Sequence, residues 1–130
     1  MVVVRYLWAL PATLVGLLFA VPALCAGATT RRVDGCIEVA GGRLAKLLAM
    51  LPPSMCFAAI AFGHVIIGTD HDLLARVRRH EHVHVRQYER WGVLFFPLYA
   101  GSSLVQLLRG RDPYRDNCFE REAFAKDAAA

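Results

Sequence analysis

The sequence predicts an α+β fold, in which a short β-sheet packs on one long amphipathic helix and an N-terminal transmembrane helix precedes both. Three observations lead to this prediction. Residues 6–30 form an uncharged, largely apolar run. Short alternating patterns and glycine-containing turns follow, as in β-hairpins. Residues 70–91 then carry apolar side chains at helical spacing.

Composition limits the classes of protein to consider. A chain of 130 residues is enough for one small domain, which we place at residues 29–130. Hydrophobic residues make up 56% of the chain, a high share for a soluble domain. The net charge of +4 suits contact with anionic membrane lipid. The basic residues form no run interleaved with aromatics, so nucleic acid is not an expected partner. The four cysteines form no CxxC pair, which argues against a zinc knuckle.

Residues 1–28 are predicted to be a membrane anchor or a signal segment. Residues 7–26 are about long enough to cross a bilayer as a helix, with Arg5 before them and Arg31 and Arg32 after them. A cleaved signal peptide is the alternative, because Ala26-Gly27-Ala28 has the form that signal peptidases accept. The apolar run is long for a signal peptide, which favours an uncleaved single anchor and a membrane location. Cleavage would instead give a secreted or periplasmic protein.

The next segments predict the sheet. Residues 29–42 are predicted to form a hairpin, since Asp34-Gly35 is a strong two-residue turn signal between alternating stretches. Residues 43–51 have leucines at helical spacing. Residues 57–62 and 64–67 are short apolar runs around Gly63, and we expect both to be strands.

A long helix is predicted over residues 70–91, with Thr69 or Asp70 as its N-cap. At 100° per residue, its core-facing side carries Leu73, Leu74, Val77, His80, Glu81, His84, Val85, Tyr88 and Trp91. The opposite side carries four arginines, and His71 and His82 also fall outside the apolar face, so we expect both histidines to face solvent. Two imidazoles and a carboxylate in an apolar face are costly unless they are paired or bind a metal.

The segment His80-Glu81-His82-Val83-His84 fits the pattern HExxH. One helical turn separates His80 from His84, so both imidazoles point the same way and could bind one zinc ion. Glu81 would then lie beside the metal as a general base. A chance match is the alternative, in a small membrane protein with a structural or interaction role.

A catalytic zinc site of this kind needs a third protein ligand. Residues 93–108 are uncharged but short for a full membrane span, so we expect a core or interfacial helix there. A polar loop and a last short helix follow. In that helix Glu120 shares the apolar side with Phe119, Ala123 and Phe124, whereas Glu122 points away. Glu120 is therefore the predicted ligand, with a salt bridge to an arginine as the alternative role.

These features resemble the gluzincin superfamily of zinc metallopeptidases, in which two HExxH histidines and a glutamate from a later helix bind zinc. Residues 58–89 look like minimal gluzincin domains of bacteria, and residues 117–123 are similar to their second motif. The resemblance implies a zincin-like fold, zinc held by His80, His84 and Glu120, and peptide-bond hydrolysis. Many gluzincins carry an aspartate four residues after the ligand glutamate, where this chain has Phe124. The outer support of the zinc ligands must therefore come from elsewhere.

The predicted function is hydrolysis of a peptide or protein substrate by a membrane-associated zinc metallopeptidase with Glu81 as its base. Tyr88 and Tyr114 are equivalent candidates for stabilising the oxyanion. The alternative is a catalytically inactive zinc-binding scaffold or interaction protein, because little sequence remains to form a substrate cleft. A partner protein could complete such a cleft.

Overall fold

The computed structural model describes residues 1–51 and 58–129 and has an α+β fold with a mixed four-stranded sheet. Its helices are α1 (Val2–Cys25), α2 (Leu44–Ala49), α3 (His71–Trp91), α4 (Phe95–Leu108) and α5 (Cys118–Ala128). Its strands are β1 (Thr29–Val33), β2 (Cys36–Ala40), β3 (Ala59–Phe62) and β4 (Val65–Gly68). A 3₁₀ turn, Gly92–Leu94, joins α3 to α4.

The sheet has the order β1-β2-β4-β3. The predicted hairpin is confirmed, because β1 and β2 pair antiparallel around Asp34 and Gly35, both with positive φ. Strand β4 pairs parallel with β2 and antiparallel with β3. Both predicted apolar strands are present, although Phe57 lies outside the described residues. This order leaves β3 at an edge of the sheet.

Helix α3 begins as predicted, with the Asp70 carboxylate accepting a hydrogen bond from the Leu73 amide at 2.7 Å. Its buried surface is wider than predicted, since Val83 and Gln87 are also buried. The prediction that His71 and His82 face solvent was wrong, because both are half-buried. The β1–β2 hairpin covers that side of the helix, and the Thr29 hydroxyl lies 2.7 Å from the His71 ring.

One buried ion pair ties α3 to the centre of the sheet. The Glu38 side chain on β2 is 1% exposed, and Arg78 donates to both of its oxygens at 2.8 and 3.1 Å. A carboxylate this buried is tolerated only with a charged, well-aligned partner. The pair therefore fixes how α3 sits on the sheet.

Helix α1 packs on the sheet and on α3 through small residues. Its buried positions are Ala9, Ala12, Gly16, Ala20 and Ala23. A Cβ atom at Gly16 would lie 2.7 Å from the Cβ of Val65, so only glycine permits this approach. Apart from Arg5 near its start, the exposed surface of α1 is largely apolar, and the helix is long and apolar enough to cross a membrane.

Hydrogen bonds fix α1 in register with the rest of the domain. The Tyr6 hydroxyl donates to the Gly35 carbonyl at 2.8 Å, and the Trp8 indole donates to the Arg90 carbonyl at 3.3 Å. The His64 amide donates to the Thr13 hydroxyl at 3.1 Å. These contacts reach the hairpin turn, the end of α3 and the β3–β4 turn, so α1 is part of the packed structure.

Helix α4 is not a buried core helix. Phe95 is its one buried residue, whereas Leu104, Leu107 and Leu108 are 54%, 58% and 79% exposed. Of the two predicted alternatives, core or interface, its exposure fits the interfacial one. Proline at the third helical position is tolerated because that amide needs no partner within the helix.

We predict that Arg78→Met destabilises the fold by about 3 kcal/mol, because it leaves the buried Glu38 carboxylate without its partner. Chemical denaturation of the detergent-solubilised protein measures the change. The double variant Glu38→Met/Arg78→Met removes both charges and should be less destabilised than the single variant. Equal stability of Arg78→Met and the unmodified chain would show that the ion pair does not hold α3 in place.

Candidate metal centre

Helices α3 and α5 bring together the three predicted ligands. His80 and His84 lie one turn apart on α3, and Glu120 lies in the first turn of α5. The Oε2 atom of Glu120 is 3.0 Å from His80 Nε2 and 3.2 Å from His84 Nε2, and the two Nε2 atoms are 3.3 Å apart. All three residues are buried, and together they could hold a metal ion.

The spacing of these atoms matches a tetrahedral site. Ligand bonds of about 2.0–2.1 Å place two tetrahedral ligand atoms about 3.3 Å apart. The three observed separations, 3.0 to 3.3 Å, are close to that value. Three protein ligands occupy three corners, so the fourth would remain for water or substrate.

The hydrogen bonds of Gln87 indicate which ring nitrogen of His84 carries the proton. The Gln87 amide nitrogen donates to the Phe119 carbonyl at 3.0 Å and to the Glu122 carboxylate at 2.9 Å. Its oxygen therefore faces His84 Nδ1, at 2.8 Å, and accepts a hydrogen bond from the N–H group at that nitrogen. In a neutral ring, Nε2 then presents a lone pair to Glu120 Oε2. Two acceptors at this distance repel each other unless a proton or a metal cation lies between them.

Sequence reasoning missed Gln87 and Tyr99, which support two of the ligands. Gln87 orients His84, and the Tyr99 hydroxyl donates to Glu120 Oε1 at 2.7 Å. They provide the outer support that Phe124 cannot give. Gln87 could have been found, because it follows His84 by three residues and so lies on the same side of the helix. Tyr99 comes from α4, and no local pattern indicates that it reaches α5.

The charges of the site favour a bound cation. Glu120 is itself buried, but hydrogen bonds from His80 and His84 outweigh that burial and lower its pKa to about 2. Burial opposes the charged form of His84, yet its hydrogen bond to Glu120 and the charges of Glu120 and Glu81 raise its pKa. Glu120 is therefore ionised at neutral pH, and a proton on His84 competes with any metal.

Glu81 lies beside the triad formed by His80, His84 and Glu120, and one of its carboxylate oxygens has no hydrogen-bond partner among the described residues. That atom is Oε2, and the side chain is buried. Burial raises the pKa of Glu81, although the nearby His84 and His80 partly offset this. The Glu81 side chain also lines the cleft over the site, so its carboxylate is suited to accept a hydrogen bond from a water or ligand there.

A cleft of about 680 Å³ opens over these residues. Its floor is formed by His80, Glu81, His84 and Glu120, and one wall is the edge strand β3. Val77 and Asp127 also line the cleft, and many of the other lining side chains are aromatic, namely Phe62, Tyr88, Phe95, Phe96, Tyr99, Tyr114 and Phe124. The chain thus forms a cleft without a partner protein, although little sequence seemed to remain for one.

The other candidate residues take different positions. Glu122 is half-exposed and accepts from Gln87 and from Lys126, so it supports the site from outside the triad. Tyr88 and Tyr114 both line the cleft, as candidates for an oxyanion donor should. Burial raises the pKa of Tyr114 to about 12, so its phenol stays protonated at neutral pH. Among the described residues, Cys25, Cys36 and Cys118 form no disulfide with one another, and none of them belongs to the group of His80, His84 and Glu120. Cys56 lies outside the described residues.

Comparison with known proteins identified no relative of this chain. The chain matches no protein-family model, no curated protein sequence and no solved structure.

We predict that Glu120→Gln weakens zinc binding by a factor of about 10² or more, because it removes a charged ligand from the inner site. Glu122→Gln is the matched control and should reduce zinc affinity less, since Glu122 contacts the ligands only through Gln87. Competition with a chromogenic chelator measures both affinities. Equal losses in the two variants would rule out the arrangement of α5 described above.

A second prediction concerns pH. Metal binds the neutral form of His84, whose pKa is raised above the ordinary value of about 6.5. Zinc affinity should therefore begin to fall, as the pH is lowered, while the pH is still above 6.5. Glu120, with a pKa of about 2, does not titrate in this range. Calorimetry between pH 8.5 and pH 6 measures the effect, and a constant affinity would contradict the proposed competition.

Proposed function

We propose that this protein is a membrane-associated zinc peptidase that hydrolyses peptide bonds in the cleft above His80, His84 and Glu120. One observation carries the proposal. Three buried polar atoms converge at 3.0 to 3.3 Å, and the Glu81 side chain lines the same cleft. A metal site next to a free, buried carboxylate is the arrangement that hydrolysis by an activated water requires.

The ligand set supports zinc. Two imidazole nitrogens and one carboxylate oxygen, with a fourth position open, are typical of catalytic zinc sites. When bound, zinc would lower the pKa of a water molecule to near 7 and polarise the substrate carbonyl. The proposed zincin-like fold follows from the same features, since a mixed sheet with an edge strand packs on the helix that bears both histidines.

Glu81 is the proposed general base. Burial raises the pKa of Glu81 toward neutral pH, and a general base is most effective when its pKa is near the working pH. The Glu81 carboxylate accepts the proton of the attacking water, and the same group then gives a proton to the leaving amine. His80 and His84 flank Glu81 on the helix, and their positive charge when protonated would work against its basicity. Neutral ligand histidines are therefore part of the working state.

Strand β3 is the proposed platform for the substrate. Its residues 59–62 pair with β4 on one side and line the cleft on the other. An edge strand presents unpaired backbone groups, to which an extended peptide can bind as an additional strand. This mode places the peptide backbone along the cleft, with its carbonyl groups above the α3 histidines. The Tyr114 phenol is a protonated donor in the same cleft and could stabilise the oxyanion.

The packing of α1 supports an uncleaved anchor. Removing residues 1–28 would expose Val65 and Ile67, which pack with Ala20 and Ala23 in one core cluster. It would also remove the hydrogen bonds to Gly35, Arg90 and His64. A helix that forms part of the core is a poor candidate for removal, so we place the mature protein in the membrane.

The test of catalysis is Glu81→Gln in the full-length protein. This variant keeps all three ligands, so zinc content should stay at one ion per chain, whereas peptide hydrolysis should fall by a factor of about 10² or more. Metal analysis and cleavage of a fluorogenic peptide mixture, both in reconstituted vesicles, give the two readings. Glu122→Gln should retain most of the activity.

Two outcomes would contradict the proposal. Zinc-loaded protein that cleaves no peptide, even in its native membrane, would favour the inactive zinc-binding scaffold. Unchanged hydrolysis in Glu81→Gln would mean that another group is the base.

A further inference from the structure

The polar side chains of helix α4 face the rest of the protein. Ser102 accepts from the Cys118 amide at 3.0 Å, and Ser103 accepts from Asn117 at 2.7 Å and donates to the Pro113 carbonyl at 2.8 Å. Tyr99 donates to Glu120 at 2.7 Å. These hydroxyl groups all point to α5 and to the loop before it, so the inner side of α4 is held by hydrogen bonds.

The outer side of α4 is apolar throughout. The exposed large residues of α4 and its preceding turn are Val93, Leu94, Leu98, Leu104, Val105, Leu107 and Leu108. No charged residue occurs between positions 91 and 108. In a water-soluble helix the apolar side faces the protein and the polar side faces solvent. The reverse arrangement is expected where the surrounding medium is lipid.

This apolar side is continuous with that of α1. Phe62 on β3 lies between the two helices, with its ring centroid 5.4 Å from that of Phe19 on α1 and 6.4 Å from that of Phe96 on α4. Leu18, next to Phe19, is 72% exposed. One apolar surface therefore runs from α1 across Phe62 to α4.

The metal cleft borders this surface. Phe62 and Phe96, which join α1 to α4, also line the cleft. The exposed Arg109 and Arg111 directly follow α4, where basic side chains can reach lipid phosphates. Helix α4 has 14 residues, which span about 21 Å and not the roughly 30 Å of a bilayer core. Its length thus suits a helix that enters the bilayer without crossing it.

We propose that α4 lies in the bilayer beside α1, so that the metal cleft opens at the lipid surface and takes polypeptide segments that are themselves held in or at the membrane. The location of α4 stands independently of catalysis, whereas the substrate class rests on the proposed peptidase function. The occupant of the apolar surface is lipid, because α1 after Arg5 and the whole of α4 carry no charged side chain, and basic residues follow each helix.

The location of α4 can be tested in the unmodified full-length protein, which avoids any folding defect. The protein is reconstituted in vesicles of phosphatidylcholine and phosphatidylglycerol that contain a phospholipid with a diazirine in its acyl chain. After illumination, mass spectrometry maps the lipid adducts. We expect adducts on Leu104, Leu107 and Leu108 at a yield similar to that on Leu18. The exposed α5 residues Arg121 and Ala125, which do not line the cleft, are the water-side controls and should carry few adducts.

Labelling of α1 without labelling of α4 would overturn the location. The same pattern would arise if a second copy or a partner protein covered α4, so protein crosslinks in place of lipid adducts also count against it.

The substrate class is tested by comparing two peptides with the same cleavable segment, one free and one carrying a transmembrane anchor. The zinc-loaded protein in the same vesicles should cleave the anchored peptide at least about tenfold faster at equal bulk concentration, as expected when both partners share one membrane. Equal rates would overturn the substrate class while leaving peptidase activity intact. No cleavage of either peptide would remove both the peptidase function and this substrate class, whereas the adduct map would still decide the location of α4.

Discussion

The rest of the site depends on three buried polar atoms that face one another, one each from His80, His84 and Glu120. Gln87 holds the proton of His84 on the far nitrogen, so the near nitrogen of the neutral ring presents a lone pair to an ionised Glu120. The Nε2 atom of His80 lies 3.0 Å from the same Glu120 oxygen. A proton or a metal cation among these atoms would offset the cost of burying two histidines and a glutamate together.

The scaffold keeps these atoms in place through contacts from every side of α3. The Glu38–Arg78 ion pair fixes the helix to the sheet, and Trp8 reaches the carbonyl of Arg90 at its end. Tyr99 positions Glu120 from α4. Helix α4 can make that contact because its hydroxyl groups face inward, and this leaves its apolar side chains outside. The geometry of the metal centre and the apolar exterior of the protein are thus two consequences of the same packing.

Much of this arrangement follows from sequence, for clear physical reasons. Asp34-Gly35 sets the hairpin, and helical spacing places His80 and His84 on one side of α3 and distinguishes Glu120 from Glu122. These features depend on local periodicity. The contact of Gln87 with His84 follows from the same helical spacing, although the sequence analysis missed it. The role of Tyr99 and the half-burial of His82 depend on which elements meet, and neither the chain's spacing nor its composition records that. The sequence also did not decide whether the apolar side of α4 faces the core or the outside, because an uncharged stretch is compatible with a protein core and with a membrane.

The central claim is that His80, His84 and Glu120 bind zinc through two imidazoles and one carboxylate. X-ray absorption at the zinc edge of the purified full-length protein tests it most directly. The expected spectrum shows only nitrogen and oxygen neighbours at about 2.0–2.1 Å, with the outer-shell features of imidazole. Sulfur at about 2.3 Å would place the metal on cysteines and contradict the account. Protein that carries no zinc after exposure to the ion would contradict it as well.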